Sequence, residues 1–365
     1  MASEISTPGD TRLPDLADRL PDEIEALLKP LGLQPYRSLQ VFQWIHQKSA
    51  DSFDQMTNLP QNLRAWLASN ASLSRLETTD VLVSVDGSRK LLFDAGEGRR
   101  YSAVLMPTDE RVTLCISSQA GCRMACRFCM TGSMGFFRNL TAAEIVGQVH
   151  AASRLLPAGS RVSNVVFMGM GEPLDNLDAV MRAARIITHR EGLRVAPRRT
   201  TISTVGLLER LSEVVSSGMG LSIALSVCAT KDDIRAELVP ASRRHGNIAA
   251  LVDRLAELTL PHGHVYTIEY TLIKGVGDSI EDAMRLSRML ARFPHKVNLI
   301  PFNPWPGTPY CRPSDAVIQA FRQVLEDKHH RVTVRISRGQ DIGAACGQLD
   351  FARDQPNSGT HDISI

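Results

Sequence analysis

The sequence has 365 residues and a formal net charge of +2, with 43% hydrophobic and 22% charged residues. This composition is typical of a globular protein, and it excludes a disordered, collagen-like or coiled-coil chain and a strongly basic nucleic-acid-binding chain. The sequence contains no apolar run of about 18 residues and no apolar segment of a secretory signal near its start, so we expect a cytoplasmic protein without a membrane span.

The first third of the chain is predicted to form helices and then a small sheet. Residues 1–20 show little periodicity and are interpreted as a loose leader. Helical periodicity with Pro and Gly stops covers residues 22–69. A D-G turn at Asp86-Gly87 between β-prone runs indicates a hairpin or a three-stranded sheet. We therefore assign residues 21–105 to an accessory region.

Residues 106–350 are predicted to form the main domain, because strand-like and helix-like segments alternate from Val112 onward. Repeated βα units imply an α/β fold with a parallel sheet and outer helices, which forms a full or partial barrel. In such barrels the catalytic residues lie at the C-terminal ends of the strands. Residues 351–365 are expected to be a polar tail. The predicted strands are Val112–Ile116, Ser163–Phe167, Thr200–Ser203, Ser222–Val227, Tyr266–Leu272, Val297–Ile300 and Val332–Ile336.

Three of the seven cysteines form a C-x3-C-x2-C motif just after the first of these strands, at Cys122, Cys126 and Cys129. An odd number of cysteines in a long chain without a secretory signal argues against a disulfide framework. Three thiolates on one short loop can hold three irons of a [4Fe–4S] cluster and leave the fourth iron open to a small molecule. A zinc site completed by a distant histidine is the alternative, but such sites usually pair two C-x2-C motifs, and no second one is present.

A glycine-rich loop follows the second predicted strand, in Phe167-Met-Gly-Met-Gly-Glu-Pro-Leu174. Gly169 and Gly171 allow the backbone to approach a ligand closely. Glu172 supplies a carboxylate, and exposed backbone carbonyls can accept hydrogen bonds from an ammonium group. Taken alone, such a loop is more often a tight connection between a strand and a helix.

The cysteine spacing, with Phe128 before the last cysteine, resembles the signature of the radical S-adenosylmethionine (SAM) superfamily. The resemblance implies a partial (β/α)6 barrel, a cluster held by the three cysteines, and SAM bound at the open iron with its amino group on the Gly-Glu-Pro loop. In that superfamily the cluster donates an electron to SAM. SAM then splits into methionine and a 5′-deoxyadenosyl radical that abstracts a hydrogen atom.

Further stretches resemble the dual-specificity 23S rRNA/tRNA adenine-C2 methyltransferases, from about residue 21 to residue 350. They include Asn298-Leu-Ile-Pro-Phe-Asn-Pro-Trp-Pro-Gly-Thr-Pro-Tyr310 and the ending Ala344-Ala-Cys-Gly-Gln-Leu349. This family methylates an adenosine of 23S rRNA in the peptidyl-transferase centre and an adenosine in the tRNA anticodon loop. The resemblance also implies two SAM molecules per turnover, a one-electron donor such as flavodoxin or ferredoxin, and a monomer.

The resemblance assigns Cys346 as the methyl carrier and Cys115 as the resolving thiol. In the family, the first thiolate takes a methyl group from SAM and becomes S-methylcysteine. A second SAM supplies the radical that removes hydrogen from this methyl group, and the carbon radical adds to C2 and links protein to RNA. The second thiol then forms a transient disulfide and frees the methylated base. Taken alone, Cys115 would be a buried strand cysteine and Cys346 a loop thiol.

Seven residues are expected to contact SAM by the same resemblance. At position 228 the family commonly has histidine, so Cys228 is expected to contribute its backbone only, and Cys311 receives no role. The seven residues are Gly171, Glu172, Ser203, Ser226, Val227, Cys228 and Asn303.

One departure from the family concerns the proton acceptor. The family has a glutamate in this role thirteen residues before the resolving cysteine, and this chain has Ser102 there. A serine cannot hold a proton as a carboxylate can. Glu97, Glu110 and water remain as alternatives, and no base is assigned.

RNA contacts and two alternative functions stay open at this stage. An adenine-C8 methyltransferase would carry much the same motifs. A non-catalytic iron–sulfur RNA-binding or redox-sensing protein would need neither the Gly-Glu-Pro loop nor the Cys115/Cys346 pair, although the loss of the glutamate slightly favours it. Basic groups that could bind phosphates, but that are more often solvated surface, are Arg194, Arg198, Arg199, Arg243, Arg244, His245, Arg335 and Arg338.

Overall fold

The computed structural model describes residues 13–350. The first twelve residues of the predicted leader and the predicted polar tail, residues 351–365, lie outside this range. Three helices open the described chain: α1 (Pro21–Leu28), α2 (Tyr36–His46) and α3 (Gln61–Asn70). The Glu23 carboxylate accepts a hydrogen bond from the Leu20 amide and caps α1, whose continuation ends at Gly32 in a left-handed conformation.

One ten-stranded sheet forms the centre of the molecule, in the order β1-β2-β3-β4-β7-β8-β9-β10-β11-β12. The strands β5 (Gln119–Gly121) and β6 (Phe136–Asn139) form a separate antiparallel pair. The ten strands are β1 (Asp80–Val83), β2 (Arg89–Gly96), β3 (Arg99–Pro107), β4 (Val112–Cys115), β7 (Asn164–Phe167), β8 (Thr200–Thr204), β9 (Ser222–Ser226), β10 (Tyr266–Leu272), β11 (His295–Pro301) and β12 (Val332–Val334).

The strands from β4 to β12 in this sheet are parallel, and outer helices connect each one to the next. No pairing joins β12 to β1 among residues 13–350, so the barrel stays open and the prediction of a partial (β/α)6 barrel is confirmed. The remaining helices are α4 (Met130–Ser133), α5 (Ala142–Arg154), α6 (Leu177–Thr188), α7 (Leu208–Ser216), α8 (Asp232–Leu238), α9 (Ile248–Glu257), α10 (Ile280–Leu290) and α11 (Asp315–Asp327).

The accessory strands are continuous with the barrel sheet. β3 pairs antiparallel with β4, with Val104 opposite Cys115, and β1 and β2 extend the same sheet outward. β3 therefore crosses the predicted boundary between residues 105 and 106. This arrangement fixes the edge of the accessory sheet beside the strand that ends at Cys115.

Alternation along β10 separates an apolar outer face from a polar inner face. Tyr270 stacks on Phe321 of α11 with ring centres 5.3 Å apart, and Tyr266 packs edge-on against Phe293. Glu269, between them in the strand, instead lines a cavity inside the barrel. Because side chains alternate along a strand, the helices cover one face of the sheet and the other encloses a polar interior. No helix in residues 13–350 is long and apolar enough to cross a bilayer.

Candidate active site

The cysteine loop lies beyond the C-terminal end of β4 and is shaped by close backbone contacts. Gly121 has a φ of +79°, and a Cβ there would lie 2.1 Å from the Gly135 carbonyl oxygen. The Cys122 amide donates a hydrogen bond of 2.9 Å to that same oxygen. A Cβ on Gly132 would lie 2.7 Å from backbone atoms of Cys126. Only glycine fits at these two positions without moving the backbone.

The three thiols of this loop fit a [4Fe–4S] cluster. Cys122 and Cys126 are buried, Cys129 is half-buried, and all seven cysteines of the chain are free. Burial raises the pKa of each of the three thiols, so an uncompensated site would keep them protonated, whereas a bound cluster would stabilise the thiolates.

The Gly-Glu-Pro loop packs directly against the segment that precedes the cysteines. The Met170 carbonyl accepts hydrogen bonds from the amides of Ser118 and Gln119, at 2.9 and 3.2 Å. Gly171 has a φ of +100°, and a Cβ there would lie 2.6 Å from the Gln119 side chain. The loop after β7 is thus held at the same end of the barrel as the cysteine loop.

Glu172 uses its carboxylate to join two loops. One oxygen accepts a hydrogen bond from the Leu174 amide at 3.1 Å, and the other accepts one from the Val205 amide at 3.0 Å. Burial raises the pKa of this carboxyl group to about 7, against the effect of these amides. The carboxylate therefore holds the loop after β7 against the segment that follows β8.

The predicted SAM residues on the next strands also lie at the C-terminal ends. Ser203 pairs with Ala224 near the end of β8, and Ser226 is the last residue of β9. The Val227 amide donates a hydrogen bond of 3.0 Å to the Glu269 carbonyl. Cys228 is buried with a φ of +66°, and its thiol lies 3.5 Å from the carbonyl oxygen of Ser226. Its side chain is therefore directed to its own backbone.

Asn303, predicted to contact SAM, anchors the loop that carries Cys346. It follows β11 and is only 4% exposed. Its Nδ2 donates to the Cys346 carbonyl at 3.1 Å, and its Oδ1 accepts from Gln340 Nε2 at 3.2 Å. The side-chain amide is therefore fully engaged in positioning the loop.

The Cys346 loop is also tied to the helix that follows the cysteine motif. The Met130 amide donates to the Gly347 carbonyl at 2.8 Å, and the Thr131 hydroxyl donates to the Leu349 carbonyl at 2.6 Å. On its other side, Lys90 of β2 donates to the Gly343 carbonyl at 3.2 Å. These bonds place the C-terminal loop between the accessory sheet and the cysteine loop, a contact between segments far apart in the sequence.

Cys115 and Cys346 line the same cavity, which has a volume of about 570 Å³. Burial raises the pKa of Cys115 to about 12 and that of Cys346 to about 11, and the nearby Arg335 guanidinium opposes both shifts. Burial alone would lower the pKa of Arg335, but the charges of Cys346, Glu269 and Cys115 raise it. The half-buried Arg335 guanidinium thus acts on both thiols and favours their thiolate forms.

The basic groups proposed for phosphate binding do not form one surface. Arg198 and Arg199 immediately precede β8, at the opposite end of the strands from the cysteine loop. Arg335 lies in the cavity, and Arg338 donates to the carbonyls of Asp86 and Pro107. The segment of residues 243–245 lies on the connection after β9, at the same end as the cysteine loop. The remaining group, Arg194, donates to the Arg190 carbonyl and is exposed.

The structure also shows which candidate proton acceptors reach the cavity that holds Cys115 and Cys346. Ser102 is fully buried, with its hydroxyl 3.9 Å from the Met170 sulfur. Glu97 is exposed in the turn between β2 and β3 and pairs with Arg99, and Glu110 is exposed in the turn between β3 and β4. Neither lines the cavity, whereas Glu269 does. Sequence reasoning missed Glu269, although a charged residue within an otherwise apolar and threonine-bearing strand is a signal of an inward-facing functional group.

Comparisons with known proteins agree with this geometry. Residues 14–73 match the family described as "Ribosomal RNA large subunit methyltransferase N-terminal domain", and residues 116–287 match the "Radical SAM superfamily". The chain is 46% identical over 346 residues to the dual-specificity RNA methyltransferase RlmN of Geobacter sulfurreducens, covering 94% of each chain. It is 41% identical to the RlmN of Campylobacter jejuni, covering 94% of this chain and 99% of that one. A crystal structure of a radical SAM methyltransferase from Sphaerobacter thermophilus superposes with a TM-score of 0.87 and 41% identity, covering 93% of this chain and all of that one.

Proposed function

This chain belongs to the RlmN family of radical SAM RNA methyltransferases, and from that premise we propose that it methylates C2 of an adenosine in RNA through Cys346. We propose 23S rRNA and tRNA as substrates, because the relatives named above are dual-specificity RNA methyltransferases. The observation that carries the proposal is the shared cavity, in which Cys346 and Cys115 lie beside the cysteine loop.

The enzyme uses a [4Fe–4S] cluster and SAM, and the proposed cluster ligands are Cys122, Cys126 and Cys129. When bound, the cluster supplies the electron that cleaves SAM and so provides an agent able to abstract a hydrogen atom. The proposed SAM-binding residues supply backbone and hydroxyl groups at the ends of β7, β8 and β9. They are Gly171, Glu172, Ser203, Ser226, Val227 and Cys228, with Asn303 acting through the Cys346 loop.

Cys346 performs two chemical steps in the proposed reaction. Its thiolate attacks the methyl group of a first SAM, so that a sulfur–carbon bond forms and the bond from that carbon to the SAM sulfur breaks. Arg335 favours this step because its positive charge stabilises the thiolate. After the S-methyl group has lost a hydrogen atom, its carbon bonds to C2 and holds the RNA covalently on the protein.

Cys115 then releases the product. Its thiolate attacks the sulfur of Cys346, the sulfur–sulfur bond forms, and the bond between that sulfur and the transferred carbon breaks. The electron pair stays on the carbon, which takes up a proton and becomes the methyl group of the product. Reduction of the disulfide returns both thiols to the starting state.

The electron donor, the oligomeric state and the cellular location are part of the same proposal. We propose a soluble one-electron donor such as flavodoxin or ferredoxin and a monomeric enzyme. Action on ribosomal and transfer RNA also implies a cytoplasmic location, where these RNAs are found in bacteria such as those that carry the relatives.

The test is anaerobic reconstitution with iron, sulfide, SAM, a reductant and an rRNA fragment, followed by mass spectrometry of the nucleosides. We expect C2-methyladenosine from the wild type, no methyl uptake by Cys346→Ala, and a covalent protein–RNA adduct in Cys115→Ala. Cys311→Ala is the matched control, because Cys311 is exposed and lies outside the cavity. A fully active Cys346→Ala variant would refute the proposal, C8-methyladenosine would favour the alternative regiochemistry, and no SAM cleavage would favour a non-catalytic protein.

A further inference from the structure

Replacement of hydrogen by methyl at C2 requires a group that accepts the proton leaving that carbon. Neither thiol is free for this task, since Cys346 is bonded to the base and Cys115 must attack as a thiolate. Ser102 offers only a hydroxyl group, and its side chain is directed to Met170. The acceptor should therefore be a carboxylate that reaches the cavity shared by the two thiols.

Among residues 13–350, Glu269 is the one carboxylate that lines this cavity. It lies on β10, opposite Ser226 of β9 and Asn298 of β11, and is only 5% exposed. Glu172 and Asp175, the acidic residues of the Gly-Glu-Pro loop and of the turn that follows it, do not line this cavity.

The carboxylate of Glu269 is held in one orientation by a short chain of hydrogen bonds. The Thr333 hydroxyl donates to Asn298 Oδ1 at 3.1 Å, and Asn298 Nδ2 donates to Glu269 Oε1 at 3.2 Å. No donor within the described part of the chain is paired with Oε2. One oxygen is thus fixed by an amide and the other remains available for a proton, which is the arrangement expected of a general base.

The charges around Glu269 suit this role. Its charge interacts with Cys115, Cys346 and Arg335, which places it within electrostatic range of both thiols and of the half-buried guanidinium. Among the described residues Arg335 forms no ion pair within 4.0 Å, and its guanidinium contacts the Met168 sulfur at 3.8 Å. The guanidinium therefore leaves Oε2 of Glu269 unblocked.

We propose that Glu269 is the catalytic base that removes the proton from C2, an inference that rests on the function proposed above. In the covalent adduct C2 is tetrahedral, and the ring has already lost one electron, which a bound [4Fe–4S] cluster would accept. The C2–H bond then breaks, its electron pair returns to the ring and restores aromaticity, and the proton bonds to Oε2. Glu269 changes from carboxylate to carboxylic acid and later releases the proton to solvent.

The test compares wild type with Glu269→Gln and Glu269→Asp in single-turnover reactions on an RNA fragment. Methyl uptake on Cys346, measured by intact mass, precedes proton removal and should stay within about twofold of wild type in Glu269→Gln. Formation of methyladenosine should fall by at least about 100-fold, the scale of a lost general base, while Glu269→Asp retains part of the activity.

Glu110→Gln is the matched control, since it removes an exposed carboxylate outside the cavity and should retain wild-type rates. The proposal is overturned if Glu269→Gln forms methyladenosine within about threefold of wild type, which would leave water as the acceptor. It is also overturned if the variant loses methyl uptake and melts at a lower temperature, because Glu269 would then serve only to balance Arg335. If the wild type itself takes up methyl groups but makes no methyladenosine, the proposed function fails and not this inference alone.

Discussion

Replacement of Asn303 by alanine distinguishes two roles for this residue. The sequence predicts a contact with SAM, whereas the structure engages both atoms of the side-chain amide with the Cys346 loop. Asn303→Ala removes two hydrogen bonds and leaves the Cys346 carbonyl without this donor. At about 1 kcal/mol for each bond, the loop should lose about 2 kcal/mol of local stability.

This loss should be confined to the loop, because the neighbouring strands keep their own bonds. A change of about 2 kcal/mol corresponds to an increase of about 30-fold in the population of the open loop. Hydrogen exchange followed by mass spectrometry measures the population of the open loop at the amides of Ala344 and Gln348, which donate to carbonyls within the loop. Exchange in β7 should not change and serves as the internal reference.

Asn303→Asp is the matched variant, since it keeps an acceptor for Gln340 and loses the donor to Cys346, and its effect should be intermediate. The assay needs no cofactor, so it separates loop anchoring from SAM binding. If the loop exchanges at the wild-type rate in Asn303→Ala while SAM affinity falls, the anchoring role is wrong and the direct contact predicted from the sequence is correct.

Three further predictions concern the cysteine loop, a buried histidine and the cavity cation. Gly121→Ala should destabilise the protein by at least about 2 kcal/mol more than Gly135→Ala in urea unfolding and should reduce iron uptake, because both have a φ near +80° but only at Gly121 does a Cβ meet backbone, at 2.1 Å. If Gly121→Ala and Gly135→Ala lowered the free energy of unfolding equally, the steric requirement for glycine at position 121 would be refuted. Burial lowers the pKa of His150 to about 4 from 6.5, so the unfolded chain binds the proton between these values. The stabilisation that His150 contributes as a neutral side chain is therefore complete above pH 6.5, and about 3 kcal/mol of it is lost as the pH falls toward 4. In urea unfolding, the free energy of unfolding of His150→Gln should not show this decrease between pH 6.5 and 4. Arg335→Leu should slow methyl uptake by Cys346 about tenfold at neutral pH, because a rise of about one unit in the thiol pKa lowers the thiolate fraction tenfold. Arg335→Lys keeps the positive charge and should slow methyl uptake less. An unchanged pH profile in Arg335→Leu would contradict the role of the guanidinium.

Much of the barrel could be predicted from the sequence, because its strands and helices have strong local signals. The predicted strand Tyr266–Leu272 matches β10 at both ends, and helix starts follow polar caps such as Ser279 and Ser314. The helix α8 and the β5–β6 pair were not predicted. Their segments are short, and the β5–β6 pairing joins residues on either side of the cysteine loop, so no local periodicity reveals it.

The candidate site could be predicted only in its chemistry and not in its arrangement. The three cysteines are close in sequence, so their spacing alone indicated a shared ligand. The docking of the Cys346 loop depends on bonds to Met130, Thr131 and Lys90, which lie more than two hundred residues away in the sequence. Asn303 shows the same limit, since the motif predicted a SAM contact but could not predict the hydrogen bond from its amide to the Cys346 carbonyl.

The polar interior explains why the cavity can exist beside a well-packed sheet. A closed (β/α)8 barrel fills its interior with branched apolar side chains. Here the inner positions carry polar groups such as Thr267, Asn298 and Thr333. Asn298 bonds to both Thr333 and Glu269, so these side chains do not collapse into a dry core. The opening that results is closed by the Cys346 loop, so the methyl carrier itself forms a wall of the cavity. Loosening that wall through Asn303 and removing the base through Glu269→Gln should therefore impair different steps: the first should slow methyl uptake, and the second should leave it intact and block only the release of methylated RNA.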